Sequence, residues 1–356
     1  MTNEPWGRGR DSLRIVLITG GSTPERDVAL AGAGEVMRAL RVAGHRVVVV
    51  DTASGELDPE HEGRALALRV GHAPPGEDEL ARLREREDVP GLARLRPVRN
   101  ADLAFLVLHG LDGEGGLVQA VLELAGLPYT GSDLLGSALA MAKGSAKRVL
   151  QGAGIPTPRF VLLEGEEPGT RRDEITALGF PLIVKPSRVG SSVGLRRAKD
   201  FAAAAAAVRA AGKHDRRVLV EEMLPGREFT VGVLGDASGR GIEPLGVGEI
   251  VTPGGLFDYH AKYTPGIAEE IFPAPVSASL AAVLQDLAVA THRALGLRDF
   301  SRVDFRLDAR GAPSVLEANT LPGMTTRSLL PQSAAVTGLS FPDLCDRIAR
   351  LAARRI

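Results

Sequence analysis

A polar strip runs along two adjacent segments near the end of the chain, where buried strands are expected. The sequence "SRVDFRLDARGAPSVLEAN", residues 301–319, alternates apolar with charged or amide side chains. Because successive side chains of a strand point to opposite faces, the segment predicts a hairpin with one apolar and one polar face. A turn centred between Arg310 and Gly311 would pair Asp304 with Glu317.

The same register pairs Arg302 with Asn319, so two carboxylates, an amide and a guanidinium would share one face. Facing carboxylates repel each other unless a cation or a proton lies between them. Oxygen ligands suit a hard ion such as Mg²⁺ or Mn²⁺, which makes Asp304, Glu317 and Asn319 candidate metal ligands. The alternative is a solvated strand face on which Arg302 and Arg306 pair with the acids.

A second candidate site is the glycine- and serine-rich segment "IVKPSRVGSSVG", residues 183–194. Lys185 ends a predicted strand, and Ser191 and Ser192 follow in a loop whose small residues let backbone N–H groups approach phosphate oxygens. The lysine would add a positive charge beside that loop. The spacing matches neither common glycine-rich nucleotide-binding pattern, so an ordinary hairpin loop with a solvent-exposed lysine is the alternative.

The length indicates two or three domains, and the sequence patterns divide the chain into three parts. Residues 1–138 begin with a strand, an amphipathic helix and a second strand, which predicts a Rossmann-like parallel sheet. Within them, residues 52–100 are interpreted as an elaborated surface segment with one helix. Residues 139–240 indicate a small α+β domain. Residues 241–356 hold the polar hairpin and a long turn-rich loop that is a candidate lid.

Two further expectations concern the middle of the chain. The segment "SALAMAKGSAKRVLQGAG", residues 137–154, predicts one helix ended by its glycines. The segment "RVLVEEMLPGREFTVGVLGD", residues 217–236, predicts two strands joined by a Pro-Gly turn.

The bulk composition is ordinary for a globular protein. The 356 residues carry a net charge of −1, which indicates neither a nucleic-acid partner nor an anionic membrane surface. No apolar run approaches the ~20 residues that a membrane-spanning helix needs, and no signal-peptide core precedes the first strand. Cys345 is the one cysteine, so an intrachain disulfide is excluded. We therefore expect a soluble cytoplasmic protein.

In their order along the chain, these segments resemble the D-alanine–D-alanine ligases of the ATP-grasp superfamily. The resemblance leaves only residues 52–100 and 160–178 unmatched, and it implies an ATP-grasp fold of three domains with ATP between two of them. The matching segments are "GGSTPERDVAL", "LHGLDGEGG", "LPYTGS", "SALAMAKGSAK", "PLIVKPSRVGSSVG", "VLVEEMLPGREFTVGVLG", "FDYHAKY", "SRVDFRLD" and "LEANTLPGMTTRSLLP".

The resemblance implies an enzyme of peptidoglycan precursor synthesis that joins two D-alanines with ATP and two Mg²⁺ or Mn²⁺ ions. The carboxylate of the first D-alanine would attack the γ-phosphate, and the amine of the second would attack the resulting D-alanyl phosphate. Phosphoryl transfer needs positioned charge more than a nucleophilic side chain, which fits the residues present. The family also suggests a homodimer.

For ATP, the resemblance places lysines at the phosphates and the glycine-serine loop over the transferred group. Glu221 and the 222–224 backbone would face adenine, and Glu228 would accept hydrogen bonds from the ribose hydroxyls. Glu222 stands where the family commonly has lysine, a change that a backbone contact tolerates. The residues implied for ATP are Lys143, Lys185, Lys262, Ser191, Ser192, Glu221, Glu222, Leu224 and Glu228.

For the two D-alanines, the resemblance implies an ammonium site, an oxyanion site and a carboxylate site. Glu25 would bind the first ammonium and form a hydrogen-bonded trio with Ser191 and Tyr263. Arg302 and the Gly323 N–H would stabilise the tetrahedral intermediate. The other residues implied for substrate are His109 near the first D-alanine, and Ser328 and the Leu329 backbone at the second carboxylate.

Some of these positions have simpler interpretations or depart from the family. Glu25 precedes a helix, where a carboxylate interacts favourably with the helix dipole, and His109 ends a buried strand, where a structural role is common. Gly115 and Ala142 stand where aspartate is usual, and Val189 stands where glutamate is frequent. Altered ATP affinity or loop closure would follow from the changes at Ala142 and Val189.

Two other functions fit the same residues. One is another ATP-grasp carboxylate–amine ligase, which would make D-alanyl-D-serine or a different dipeptide. Tyr263 in the lid favours an amine as the second substrate. The other is a nucleotide-binding regulator without catalytic activity, against which the intact Lys185, Arg302 and candidate metal ligands argue.

Overall fold

The computed structural model describes residues 12–66, 75–190, 192–235, 241–252 and 266–355. Within these ranges the strands form three sheets. None of the helices in these ranges is both long enough and apolar enough to cross a bilayer.

The N-terminal part is built on a mainly parallel sheet, as the strand-helix-strand pattern predicted. Its elements are β1 (Arg14–Thr19), α1 (Arg26–Val42), β2 (Arg46–Asp51), β3 (Gly55–Glu56), α2 (Pro59–Ala65), α3 (Glu77–Arg86), α4 (Arg96–Asn100), β4 (Leu103–Leu106), α5 (Gly110–Glu114), α6 (Leu117–Leu124) and α7 (Leu134–Met141). The strand order is β3-β2-β1-β4, with β2 and β4 parallel to β1. The buried apolar runs of these strands are typical of a sheet covered on both faces.

The described part of residues 52–100 is more ordered than predicted. It holds α2, α3, α4 and a 3₁₀ turn at Pro90–Arg94, where we expected one helix. Leu92 is buried in the N-terminal core, and Glu87 accepts a hydrogen bond from the Ser22 hydroxyl at 2.5 Å. The segment therefore packs against the glycine turn that follows β1, and it is part of the domain and not only surface decoration.

The second part is a smaller antiparallel unit. Its elements are α8 (Lys143–Gly152), β5 (Phe160–Glu164), α9 (Arg172–Ala177), β6 (Leu182–Pro186), β7 (Arg196–Ala198), α10 (Phe201–Ala211) and β8 (Arg217–Glu222). The strand order is β5-β8-β6-β7, and each neighbouring pair is antiparallel. The glycine-serine loop connects β6 to β7, as predicted.

The third part is a five-stranded antiparallel sheet with its own helices. Its elements are β9 (Glu228–Gly235), β10 (Glu243–Val251), β11 (Glu269–Ile271), α12 (Ala278–Ala294), β12 (Asp299–Leu307), β13 (Pro313–Asn319), α13 (Leu329–Ala335) and α14 (Phe341–Ala353). The strand order is β11-β10-β9-β12-β13. The apolar faces of β9 and β12 pack against α12 in a separate hydrophobic core.

The strands on either side of Pro225-Gly226 are present as predicted, but they belong to different sheets. β8 pairs with β5 and β6, whereas β9 pairs with β10 and β12. The Pro-Gly turn therefore carries the chain from one sheet to the next and does not close a hairpin. The expected border at residue 240 consequently falls inside the third sheet.

Two helices replace the single one predicted over residues 137–154. The backbone of Ala142, at φ −80° and ψ 77°, leaves the helical region between α7 and α8. The amide of Lys143 then donates to the Ser187 carbonyl at 3.1 Å and not to a carbonyl of α7. The break therefore fixes Lys143 at the start of α8, next to the glycine-serine loop.

The polar hairpin pairs Asp304 with Glu317, as predicted. The residue pairs nearest the turn are centred on Arg310, and not between Arg310 and Gly311 as predicted. If this register continued along the hairpin, Leu316 would lie opposite Asp304. A bulge at Leu316 corrects the register. The bulge therefore brings both carboxylates to the polar face.

A buried carboxylate joins the N-terminal part to the third part. Asp299 has a left-handed backbone, at φ 62°, and accepts a hydrogen bond from the Gly131 N–H at 2.9 Å. Its two oxygens also accept from the Arg355 guanidinium at 2.7 Å each, and Arg355 donates to the Tyr129 carbonyl. Burial raises the pKa of Asp299, and the contact with Arg355 only partly offsets this effect.

We expect Arg355→Met to destabilise the protein by about 3 kcal/mol, because it leaves the Asp299 carboxylate buried without its cation. Urea unfolding at neutral pH measures the change. Arg354→Met, at the exposed neighbouring position, is the matched control and should change stability by less than about 0.5 kcal/mol. Equal effects of the two substitutions would contradict this role for Arg355.

Candidate active site

A cavity of about 1280 Å³ is lined by residues from all three parts of the chain. Every predicted site residue that the structure describes lies on its wall, whereas Ser191, Lys262 and Tyr263 lie outside the described residues. The predicted residues on the wall are Glu25, His109, Lys143, Lys185, Ser192, Glu221, Glu222, Leu224, Glu228, Arg302, Asp304, Glu317, Asn319, Gly323, Ser328 and Leu329.

Asp304 is the centre of a hydrogen-bond network on the polar face of the hairpin. One carboxylate oxygen accepts from the Thr230 hydroxyl at 2.7 Å and from Arg302 Nε at 2.9 Å. The other oxygen accepts from Arg302 Nη2 at 2.8 Å and from the Asn319 amide at 3.0 Å. Burial alone would lower the pKa of Arg302, but Asp304 outweighs it and raises the pKa above its usual value. The network holds a charged guanidinium at a fixed place on the cavity wall.

Glu317 extends from the same face toward the second part of the chain. Its Oε2 lies 3.5 Å from Nζ of Lys143, which also donates to the Val189 carbonyl at 3.1 Å. One lysine at the start of α8 thus links the hairpin to the glycine-serine loop. Because Val189 contributes its carbonyl, the missing glutamate side chain at this position does not affect the contact.

The hairpin residues fit a hard divalent cation by their chemistry. Asp304, Glu317 and Asn319 offer carboxylate and amide oxygens, which are the ligands that Mg²⁺ and Mn²⁺ prefer. Across the described ranges, the structure holds no cluster of three or more His, Cys, Asp or Glu side chains placed to bind a metal. A cation at the hairpin would therefore need phosphate oxygens or waters to complete its coordination.

Glu221 lies at the end of β8 between two lysines. Its Oε1 is 2.6 Å from Nζ of Lys185, and its Oε2 is 3.0 Å from Nζ of Lys147. The family resemblance assigns Glu221 to adenine, but here its carboxylate forms a buried ion-pair triad. The two acids that follow are also paired, Glu222 with Arg159 at 2.7 Å and Glu228 with Arg306 at 3.3 Å.

Glu25 lies directly under the glycine-serine loop. A Cβ at Gly190 would lie 2.8 Å from Oε2 of Glu25 and 4.0 Å from Oε2 of Glu114, so a side chain at this position would press on both acids. Glu114 is buried and accepts a hydrogen bond from the Gly110 N–H at 3.0 Å. Burial and the nearby charge of Glu25 raise the pKa of Glu114 to about 8. Glu114 therefore carries its proton at neutral pH.

The loop between β13 and α13 forms the opposite end of the cavity. Ser328 accepts a hydrogen bond from the Thr325 N–H at 3.1 Å, and a Cβ at Gly323 would lie 2.9 Å from its Oγ. Glu35 of α1 accepts from the Thr326 N–H at 2.6 Å. These contacts hold the loop in a compact turn against the N-terminal part.

Sequence reasoning did not identify four residues that shape the site, namely Glu35, Glu114, Lys147 and Thr230. Lys147 had a signal, because it lies four positions after Lys143 and so shares a helix face with it. Glu114 and Thr230 each lie in a segment that carries the family resemblance, "LHGLDGEGG" and "VLVEEMLPGREFTVGVLG". Glu35 had no such signal, because it contacts the Thr326 N–H on an element distant in sequence.

Two sheets that close on a cavity lined by lysines, acids and a glycine-serine loop, beside a parallel-sheet domain, define the ATP-grasp class. The two domain models of one ligase family match most of the chain. Residues 14–132 match the model described as D-ala D-ala ligase N-terminus, and residues 149–350 match D-ala D-ala ligase C-terminus.

Similar proteins and structures lead to the same family. The chain is 40% identical over 346 residues to a D-alanine–D-alanine ligase of Nitratidesulfovibrio vulgaris strain DP4, covering 95% of this chain and 98% of the relative. It is 37% identical to that of Moorella thermoacetica, over 96% and 99% of the two chains.

Among solved structures, the VanG D-Ala:D-Ser ligase of Enterococcus faecalis superposes with a TM-score of 0.80 at 31% identity, over 97% of this chain and 100% of the other. The Bacillus anthracis D-alanine–D-alanine ligase complexed with ATP gives 0.76 at 27% identity, over 96% and 98%. The chain belongs to the D-alanine–D-alanine ligase family, whose members are ATP-dependent enzymes.

We expect Glu114→Gln to stabilise the protein increasingly as the pH rises from about 5 to 8. In the unfolded chain Glu114 ionises near its ordinary pKa, but in the fold it keeps its proton up to about pH 8. Across this window, the free energy of unfolding of the wild type should therefore fall, relative to that of the glutamine variant, by up to roughly 1.4 kcal/mol per pH unit. Denaturant unfolding of both proteins over the pH range measures it, and a pH-independent difference would contradict the buried, protonated acid.

Proposed function

We propose that the protein joins two D-alanines into D-alanyl-D-alanine with cleavage of ATP to ADP and phosphate, for peptidoglycan precursor synthesis in the cytoplasm. The observation that carries this proposal is the convergence of three separate features on one cavity. These features are the Asp304 network, the Lys143 link to the glycine-serine loop, and the position of Glu25 under that loop.

The first step transfers a phosphoryl group. A carboxylate oxygen of the first D-alanine attacks the γ-phosphorus, the bond to the β-phosphate oxygen breaks, and ADP leaves. Glu25 binds the ammonium of this substrate, and the loop that carries Gly190 covers it. Lys143 and Lys185 face the phosphates, so positioned positive charge stabilises the transition state without a protein nucleophile.

The second step forms the peptide bond. The neutral amine of the second D-alanine attacks the carbonyl carbon of D-alanyl phosphate. The carbon–oxygen bond to phosphate then breaks, and the proton that the nitrogen loses passes to the leaving phosphate. Arg302, held by Asp304, and the Gly323 N–H stabilise the negative oxygen of the tetrahedral intermediate. Ser328 and the Leu329 amide at the start of α13 bind the second carboxylate.

Magnesium or manganese ions would be held by Asp304, Glu317 and Asn319. Bound there, they would neutralise charge on the triphosphate and orient it. At the other end of the nucleotide, the backbone near Leu224 contacts adenine and Glu228 accepts from the ribose hydroxyls. The position of Glu228 on the cavity wall, paired with Arg306 at 3.3 Å, supports this assignment.

An ADP-release assay with MgATP and a panel of amino acids tests the proposal. D-Alanine alone should support turnover, and D-serine or D-lactate offered beside it should not form the dominant product. The panel includes D-serine because one similar structure is a D-Ala:D-Ser ligase. Turnover only with another pair, or ATP binding without ADP release, would contradict the assignment.

Glu317→Gln should lower turnover by about 10- to 100-fold, with the largest loss at limiting Mg²⁺, because a metal ligand loses its charge. Rates over a Mg²⁺ titration measure the effect, and thermal unfolding should change little. The exposed Glu164→Gln is the matched control. A near-normal rate of the Glu317 variant at limiting Mg²⁺ would contradict the metal assignment.

We also propose that two chains associate through one apolar patch of the N-terminal part. Leucines with exposed side chains lie along three neighbouring helices, α5, α6 and α7, where Leu134 packs beside Gly116. Leu124 is 90% exposed and Leu135 is 71% exposed, which is unusual for large apolar side chains. The patch consists of Leu111, Leu117, Leu124, Leu134 and Leu135.

Light scattering should give a mass of about twice 37.4 kDa for the wild type and a single-chain mass for the double variant Leu124→Asp, Leu135→Asp. Charged side chains oppose burial of the patch, while their exposure leaves folding intact. Val42→Asp, at another exposed apolar position, is the control and should stay dimeric. A monomeric wild type would contradict the dimer, and a dimeric double variant would contradict this interface.

A further inference from the structure

Lys147 is a fully buried lysine that the proposed reaction does not yet use. Its side chain is 1% exposed, and it is not on the cavity wall, although its partner Glu221 is. Nζ lies 3.0 Å from Glu221 and donates to the Thr157 hydroxyl at 2.6 Å, which in turn donates to the Val315 carbonyl. Lys147 thus approaches Glu221 from the side that faces away from the cavity, and it cannot reach a ligand in the cavity.

The charges of the triad are unbalanced without a ligand. Glu221 already has a close cation in Lys185, at 2.6 Å, and one ammonium is enough to neutralise one carboxylate. Burial lowers the pKa of Lys147, so the fold keeps this second lysine against an electrostatic cost that Glu221 offsets only in part. Burial alone would raise the pKa of Glu221, but the two lysines outweigh it and lower the pKa.

The second lysine has a use once phosphates enter the cavity. Lys185 lines the cavity at the start of the glycine-serine loop, so its ammonium is the one that a triphosphate attracts. If Lys185 were the sole partner of Glu221, binding to phosphate would leave a buried carboxylate uncompensated, which is strongly unfavourable. With Lys147 in place, Glu221 keeps a cation while Lys185 turns toward the ligand.

We propose that Lys147 is a positioning residue: it serves as a buried counter-ion of Glu221 and thereby releases Lys185 to bind the phosphates of ATP. The inference rests on the proposed function, because it assumes that ATP occupies the cavity. It assigns Lys147 no contact with the nucleotide. Its effect should therefore depend on the phosphates of the ligand and on the charge of Glu221.

The test compares dissociation constants for ATP and for adenosine, which has no phosphates, by isothermal titration calorimetry. Lys147→Met keeps the length of the side chain and removes its charge. It should weaken ATP binding by roughly tenfold, the order expected for coupling between contacting charged groups, and leave adenosine binding unchanged. The ratio of the two constants is thus the readout, since general damage to the fold would weaken both ligands.

Glu221→Gln supplies the second arm of the test. In the Glu221→Gln background, Lys147→Met should change the ratio of the dissociation constants for ATP and adenosine by less than about twofold. The reason is that Lys185 is then no longer paired with a carboxylate at residue 221. This comparison holds even if the single Lys147 variant fails to fold. Lys199→Met, an exposed lysine of the same part, controls for the general loss of a positive charge.

The outcomes separate the two proposals. A wild type that binds neither ATP nor ADP would contradict the proposed function. A wild type that binds ATP while Lys147→Met keeps the wild-type ratio would contradict only the role of Lys147. An equal loss of affinity for ATP and adenosine would show that the substitution acts on the fold or on the adenine end of the site and not on the phosphates. A tenfold change in the Glu221→Gln background would show a direct effect on phosphate. Either result overturns the inference.

Discussion

The Arg302–Asp304 ion pair is the interaction on which the rest of the site depends. Both side chains project from β12 into the cavity, where a charge with little solvent around it is tolerated only while its partner holds it. Thr230 from β9 and Asn319 from β13 complete the hydrogen bonds of Asp304. The pair therefore joins three adjacent strands on the cavity side, and it fixes the guanidinium where the proposed reaction develops negative charge.

The same need to pair buried charges connects the separate parts of the chain. Lys143 joins α8 to β13 through Glu317, and Glu221 joins β8 to both α8 and β6 through its two lysines. Polyanionic ligands compete for such cations, so nucleotide binding would exchange internal ion pairs for pairs with phosphate. Among the residues that the structure describes, Asp304, Glu317 and Glu221 are thus paired with cations before the ligand arrives, and their cations can still offer positive charge to the ligand.

Local patterns were enough to predict the sheets and the polar face of the hairpin, because period-2 alternation and turn residues act over a few positions. The pairing of Asp304 with Glu317 was predicted correctly only because the bulge at Leu316 compensates for a displaced turn. The separation of β8 from β9 and the helix break at Ala142 were not predicted. Both depend on partners distant in sequence, such as the Ser187 carbonyl, which no local pattern reports.

Helix α1 connects the two proposed substrate positions and fixes the distance between them. Glu25 stands at its start under the glycine-serine loop, and Glu35 holds the Thr326 N–H ten residues later, a rise of about 15 Å along the helix. Between them, a Cβ at Gly32 would lie 3.2 Å from Cγ1 of Val107 and 3.5 Å from the backbone of Met324, so the helix approaches both closely at this position. One rigid element thus sets the spacing between the proposed ammonium site and the proposed carboxylate site. A change in how α1 packs would therefore alter the binding of both substrates together.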